Sequence, residues 1–135
     1  MDLGAPVLII DDDPALTDAV RDILEMAGQP TAVARNAFHG LKLAREVKPA
    51  VVLCDMFMPD MAGSDVFRTL AADPATAHIP RVMMSGYPNA DQSLADGFIP
   101  KPFDPFYMLR LLQEVASRPR TTRRQTKPVA MEWRG

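Results

Sequence analysis

Hydrophobic positions along this chain follow two rhythms. Val7 to Ile10, Thr31 to Ala34, Ala50 to Cys54, Arg81 to Ser85 and Phe98 to Pro100 are short, mostly unbroken apolar runs of the kind that form strands buried on both faces. Between them apolar residues recur at helical spacing: Leu16, Val20, Ile23, Leu24 and Ala27, then Leu41, Ala44 and Val47, then Val66, Phe67 and Leu70, and finally Met108, Leu112 and Val115. The punctuation agrees. Asp13 before Pro14 reads as a helix cap followed by a first-turn proline, and Gly28 with Pro30 stops that helix after residue 27. Asn36 caps a second helix that ends before Pro49, and Pro59, Asp60 and Gly63 make 55–63 a loop. Ser64 caps a third helix closed by Asp73-Pro74, and Asp104-Pro105 opens the last one. Strands alternating with helices predict an α/β domain, a five-stranded parallel sheet covered on both faces. One interval is too short: the 15 residues between Ser85 and Lys101 must hold a loop, a helix, another loop and a strand. The fourth helix is therefore expected to be stunted or absent.

Composition adds a boundary. Residues 1–117 carry 9 Lys/Arg against 16 Asp/Glu, net −7, whereas 118–135 carry 6 against 1, net +5, with two prolines and no apolar periodicity. The expectation is one folded domain over 1–117 and a basic, disordered tail over 118–135. The single cysteine, Cys54, excludes an internal disulfide framework and sits where a small core residue belongs. No basic signal-like start and no apolar run of membrane length is present, so a cytoplasmic protein without membrane partners is expected. His39 and His78 have no partners at ligand spacing, and Met56, Met58 and Met61 read as packing residues.

The chemistry lies at the ends of the runs. In a parallel sheet, Asp11 and Asp12, Asp55, Ser85 and Lys101 gather at the strands' carboxyl ends, where open α/β folds place their sites. Several carboxylates crowded together repel one another unless a cation sits among them, and all-oxygen ligands suit Mg2+. Asp12 and Asp55 can bind it directly, Asp11 through water, and the Phe57 carbonyl can add a ligand. Asp55 is then a carboxylate nucleophile toward phosphorus, Lys101 a cation that offsets charge on the transferring oxygens, and Ser85 a hydrogen-bond donor to them. Taken singly, each of these residues reads as a cap, a turn former or a solvated charge. Their joint placement carries the inference. Neither GxxxxGK nor GxGxxG occurs.

VLIIDDDP, VVLCDMFMPDMAG, VMMSGY and FIPKPF, in this order, resemble the receiver domain of two-component response regulators over residues 5–117. The resemblance implies the flavodoxin-like strand order 2-1-3-4-5. It also implies Asp55 as phosphoacceptor, Asp11 and Asp12 as the acidic pair, Ser85 as the switch hydroxyl, Lys101 as the phosphate clamp with a cis bond to Pro102, and Phe98 at the aromatic switch position. Asp13 matches no family role, and Phe98 lacks the hydroxyl of the commoner tyrosine. The SGYP form and the short Pro88 to Gly97 segment resemble a subset of receivers, often fused to or encoded with sensor kinases. The implied function is that of a single receiver phosphorylated by a histidine kinase or histidine phosphotransfer protein. It would signal by contact with an unidentified downstream protein or serve as a phosphate sink, with no enzymatic activity beyond its own phosphorylation and dephosphorylation; a homodimer stays open. No output domain is expected in the 18 residues after Ser117. Two rival functions fit parts of the same pattern. A haloacid-dehalogenase-type phosphatase would use Asp11 as nucleophile and Asp13 as acid, with Ser85 and Lys101 on phosphate, and leaves Asp55 without a role. A nucleic-acid binder would use the basic tail, against the acidic charge of the body, so no nucleic-acid partner is expected.

Overall fold

The computed structural model describes residues 1–87 and 89–118. Its elements run β1 (Val7–Ile10), α1 (Pro14–Met26), β2 (Thr31–Ala34), α2 (Ala37–Val47), β3 (Val51–Asp55), α3 (Gly63–Ala72), β4 (Arg81–Ser85), β5 (Gly97–Pro100) and α4 (Pro105–Ser117). The five strands are parallel in the order β2-β1-β3-β4-β5. This is the flavodoxin-like order, in which the chain reverses direction across the sheet between β1 and β3 and opens a crevice beyond their carboxyl ends.

Strand periodicity sorts the core into two layers. Val7, Ile9 and Leu53 face one side of the sheet, where Val20 and Leu24 of α1 and Met108, Leu112 and Val115 of α4 cover them. Leu8, Ile10, Cys54 and Met83 face the other side, under Ala44 of α2 and Val66, Phe67 and Leu70 of α3. At Gly40 of α2 the helix comes so near β1 that a β-carbon would collide with the Ile10 side chain. Because β1, β3 and β4 are buried along their whole length, they read as continuous apolar runs rather than alternating ones.

The caps at α1, α2 and α4 are those expected. Asp13 accepts hydrogen bonds from the Ala15 and Leu16 amides, Asn36 from His39, and Asp104 from Phe106 and Tyr107. At α3 the expectation fails, because the cap position is Ala62, with no side-chain hydrogen bond, and Ser64 lies inside the helix. Tertiary approach decides that start: a β-carbon at Gly63 would fall on the Asp55 carbonyl oxygen, and the Gly63 amide donates to Met56 O at 2.6 Å. Strand β3 includes Asp55 itself, one residue beyond the expected end.

Between β4 and β5 the described residues form turns and bends with no helix. The far end of this segment is tied down by Arg81, which is 3% exposed. Its Nε donates to Leu94 O at 2.9 Å, a terminal nitrogen donates to Ala77 O at 3.2 Å, and its backbone exchanges bonds with Asp96. No helix among the described residues is long and apolar enough to cross a membrane. The stretch read as a basic tail lies, past Arg118, outside the described residues.

Candidate functional site

The strands that reach the crevice place polar residues at or just after their carboxyl ends: Asp11 after β1, Asp55 and Ser85 as the last residues of β3 and β4, and Lys101 after β5. Asp11, directly after β1, is 4% exposed and Asp55, the last residue of β3, is 9% exposed, while Asp12 is exposed. Carboxylate oxygens of these three lie within 4.8 Å of one another. Lys101 reaches in from the loop after β5: its Nζ stands 2.8 Å from Asp55 Oδ1 and 3.4 Å from Asp11 Oδ2. A backbone bond from Lys101 N to Ser85 O, 2.9 Å, fixes that loop against the end of β4, and the Lys101–Pro102 peptide is cis, as expected. Ser85 is buried, and its Oγ accepts the Tyr87 amide at 3.0 Å, which leaves the hydroxyl proton to donate elsewhere.

Electrostatics within the cluster are opposed. Burial pushes the Asp11 carboxyl above its ordinary value and the Asp55 charge adds to this, against the Asp13 amide and Lys101, which favour the charged form. Burial alone would lower Lys101, but its hydrogen bond to Asp55 and the charges of Asp11 and Asp55 outweigh that and hold its ammonium above the usual lysine value. Ionised Asp11 is thus costly in the metal-free fold: the stability it contributes is full below the ordinary carboxylate pKa and is lost as pH rises through its raised value. Asp11→Asn keeps an acceptor for the Asp13 amide. In chelator it is expected to melt above the parent at neutral pH and together with it at pH 3; an equal or lower melting temperature at neutral pH would refute this.

Other residues fall into structural positions. Asp13 is engaged as the α1 cap, so it is not presented as an acid beside Asp11. Cys54 is buried, and burial together with the Asp55 charge holds its thiol well above the usual range. The Phe98 carbonyl accepts the Tyr107 hydroxyl at 3.3 Å.

Three features escaped the sequence reading. Phe57 and Tyr87, two residues past Asp55 and Ser85, are both more than half exposed and meet edge to face at 4.9 Å between centroids. Asp60 bonds the first turn of α2, and Arg81 is a buried anchor. All three depend on partners from distant segments, for which neither periodicity nor a local motif gives a signal.

The model of the response regulator receiver domain family matches residues 7–113. This chain belongs to that family. Among relatives of the receiver, the DNA-binding dual master transcriptional regulator RpaA of Synechocystis sp. is 34% identical over 118 residues, covering 83% of this chain and 49% of the relative. The receiver thus spans about half the length of that regulator. Among solved structures, the chemotaxis protein CheY4 of Vibrio cholerae is 26% identical with a TM-score of 0.77, covering 82% of this chain and 98% of that one. The receiver domain of the sensor histidine kinase PA1611 of Pseudomonas aeruginosa, described with a magnesium ion coordinated in its active-site cleft, shares the fold with a TM-score of 0.78 at 16% identity, over 85% of this chain and 99% of that one.

Proposed function

We propose that this receiver accepts a phosphoryl group on Asp55 from a histidine kinase or histidine phosphotransfer protein. One observation carries the reading: the Asp55 carboxylate sits between a fixed ammonium, Lys101 Nζ at 2.8 Å, and two further carboxylates whose mutual repulsion calls for a cation. Three carboxylates and no nitrogen or sulfur donor make a hard site that fits Mg2+. Asp11, Asp12, Asp55 and the Phe57 carbonyl would hold it, and the bound ion supplies neutralisation of charge on the transferring phosphoryl oxygens.

The chain's own groups do the rest. A carboxylate oxygen of Asp55 forms a bond to phosphorus while the bond from phosphorus to the donor's nitrogen or carboxylate oxygen breaks, and the electron pair leaves with the donor. Lys101 exchanges its Asp55 contact for a phosphoryl oxygen, and the free hydroxyl proton of Ser85 supplies a second hydrogen bond to the phosphoryl group. Drawing Ser85 inward pulls on its bond with the Tyr87 amide. The pull is transmitted into the segment beyond β4, whose described residues form no helix, and toward Phe98, an aromatic without a hydroxyl to bond.

On this reading the protein is cytoplasmic and catalyses only its own phosphorylation and dephosphorylation. It signals through a downstream protein or acts as a phosphate sink, without nucleic acid. The domain ends near residue 117, and the basic stretch beyond it takes no part. With Mg2+ and acetyl phosphate, intact mass spectrometry should show one added phosphoryl group, equally in the full chain and in one shortened to 1–118, and none in chelator. No gain in mass, or a gain indifferent to Mg2+, would overturn the reading.

A further inference from the structure

The loop from Met56 to Ala62 carries the residue that follows the phosphoacceptor by two, yet it belongs to no regular element. Its base is closed by the bond between the Gly63 amide and Met56 O, and its first residue is still tied to the sheet through Met56 N to Met84 O, 3.3 Å. Met58 and Met61 lean on the apolar layer below, a contact that resists lifting but does not define where the loop sits along the surface.

At the far side of the loop, Asp60 reaches across to α2. Its carboxylate accepts the Ala37 amide at 3.0 and 3.2 Å and the Phe38 amide at 3.2 Å, while Asn36 caps the same helix through His39 at 2.8 Å. The helix thus has two caps, a local one and one brought by another segment. Two unpaired amides and the positive end of the helix dipole make a strong, directed acceptor site for a carboxylate.

What α2 is mounted on matters. It packs at Gly40 directly against Ile10, the residue before Asp11. The loop after Asp55 therefore hangs from the element that also backs the end of β1.

We propose that Asp60 is a positioning residue: by tying the loop after Asp55 to the first turn of α2, it holds in place the backbone of Phe57, three residues before it, and so supports the cation site. This rests on the phosphoacceptor reading, and deepens it by assigning the support of the metal site to a side chain that touches neither metal nor phosphate.

The full chain is compared as parent, Asp60→Ala, Asp60→Asn and Asn36→Ala, by calorimetric titration with Mg2+, by the rate of phosphorylation from acetyl phosphate at saturating Mg2+, and by thermal melting. Asn36→Ala weakens the same helix end without touching the loop. Asp60→Ala should bind Mg2+ about tenfold more weakly, in the range seen when the supports of metal ligands are removed, and accept phosphate more slowly. Asp60→Asn, which keeps an acceptor oxygen, should stay within about threefold of the parent. Asn36→Ala should lower the melting temperature while keeping parental Mg2+ affinity. Parental Mg2+ affinity in Asp60→Ala, an equal loss in Asn36→Ala, or an Asp60→Asn as weak as the alanine variant would each overturn the proposal. A parent that takes up no phosphate while binding Mg2+ in an Asp60-dependent way would remove the phosphoacceptor reading and leave the positioning role standing.

Discussion

Asp55→Asn is expected to abolish labelling by acetyl phosphate while leaving the fold intact. The amide occupies the same volume and offers one oxygen to Lys101 Nζ, which stands 2.8 Å from Asp55 Oδ1 in the parent, but it lacks the anionic oxygen that attacks phosphorus. Two changes in stability oppose each other. The variant loses the attraction between Asp55 and Lys101 and sheds the repulsion between Asp55 and Asp11, which helps to hold the Asp11 carboxyl above its usual value. The net change should be within about 1 kcal/mol, because only one of the two carboxylate contacts of a partly exposed ammonium is altered. Mass spectrometry and thermal melting in parallel decide the matter: labelling of the asparagine variant at the parental rate would place the acceptor on another carboxylate.

Lys101→Met should be costly in both stability and reactivity. Lys101 is 27% exposed at its side chain and faces Asp55 and Asp11, which are 11% and 6% exposed at theirs. Removing the ammonium leaves two buried carboxylates facing each other with no counterion, only the Asp13 amide on Asp11 offsetting their charge. For a fully buried pair that penalty runs to about 3–5 kcal/mol; partial solvent access at Lys101 reduces it to about 1–3 kcal/mol here. The melting temperature in chelator at neutral pH should fall by several degrees. Mg2+ should then stabilise Lys101→Met at least as strongly as the parent, since the carboxylates no longer have a built-in counterion. Phosphorylation should nevertheless stay slow at saturating Mg2+, by about a hundredfold, because the donor that follows the moving phosphoryl oxygen is gone. Unchanged melting in chelator together with unchanged phosphorylation would show that Lys101 is a solvated charge near the site and no more.

Much of the residue cluster was legible before the fold because its residues stand at or directly after the carboxyl ends of short apolar strands. Asp11, Asp55, Ser85 and Lys101 mark where an apolar run gives way to the crevice, and a parallel sheet brings all such ends to one side. The shortage of residues between β4 and β5 was legible too, as a matter of length alone. Ser64 was misread because capping preference is a local prior, whereas the start of α3 is set by the close approach of Gly63 to the Asp55 carbonyl. The bond from Asp60 to α2 spans 22 to 23 residues, and no spacing rule connects them.

The amino-acid sequence by itself determined the strand and helix alternation, the two-sided burial of the sheet and the carboxylate, hydroxyl and ammonium groups at the strand ends, because these follow from periodicity and from where each apolar run ends. The tertiary structure alone decided which of those groups touch, that Lys101 lies between Asp55 and Asp11, that Asp13 is spent on capping α1, and that Asp60 and Arg81 anchor the segments on either side of the site. The physical reason is one of range. Hydrophobic patterning acts over a few residues and survives translation into a string of letters, whereas a hydrogen bond or ion pair between distant segments exists only once packing has brought its two ends to about 3 Å.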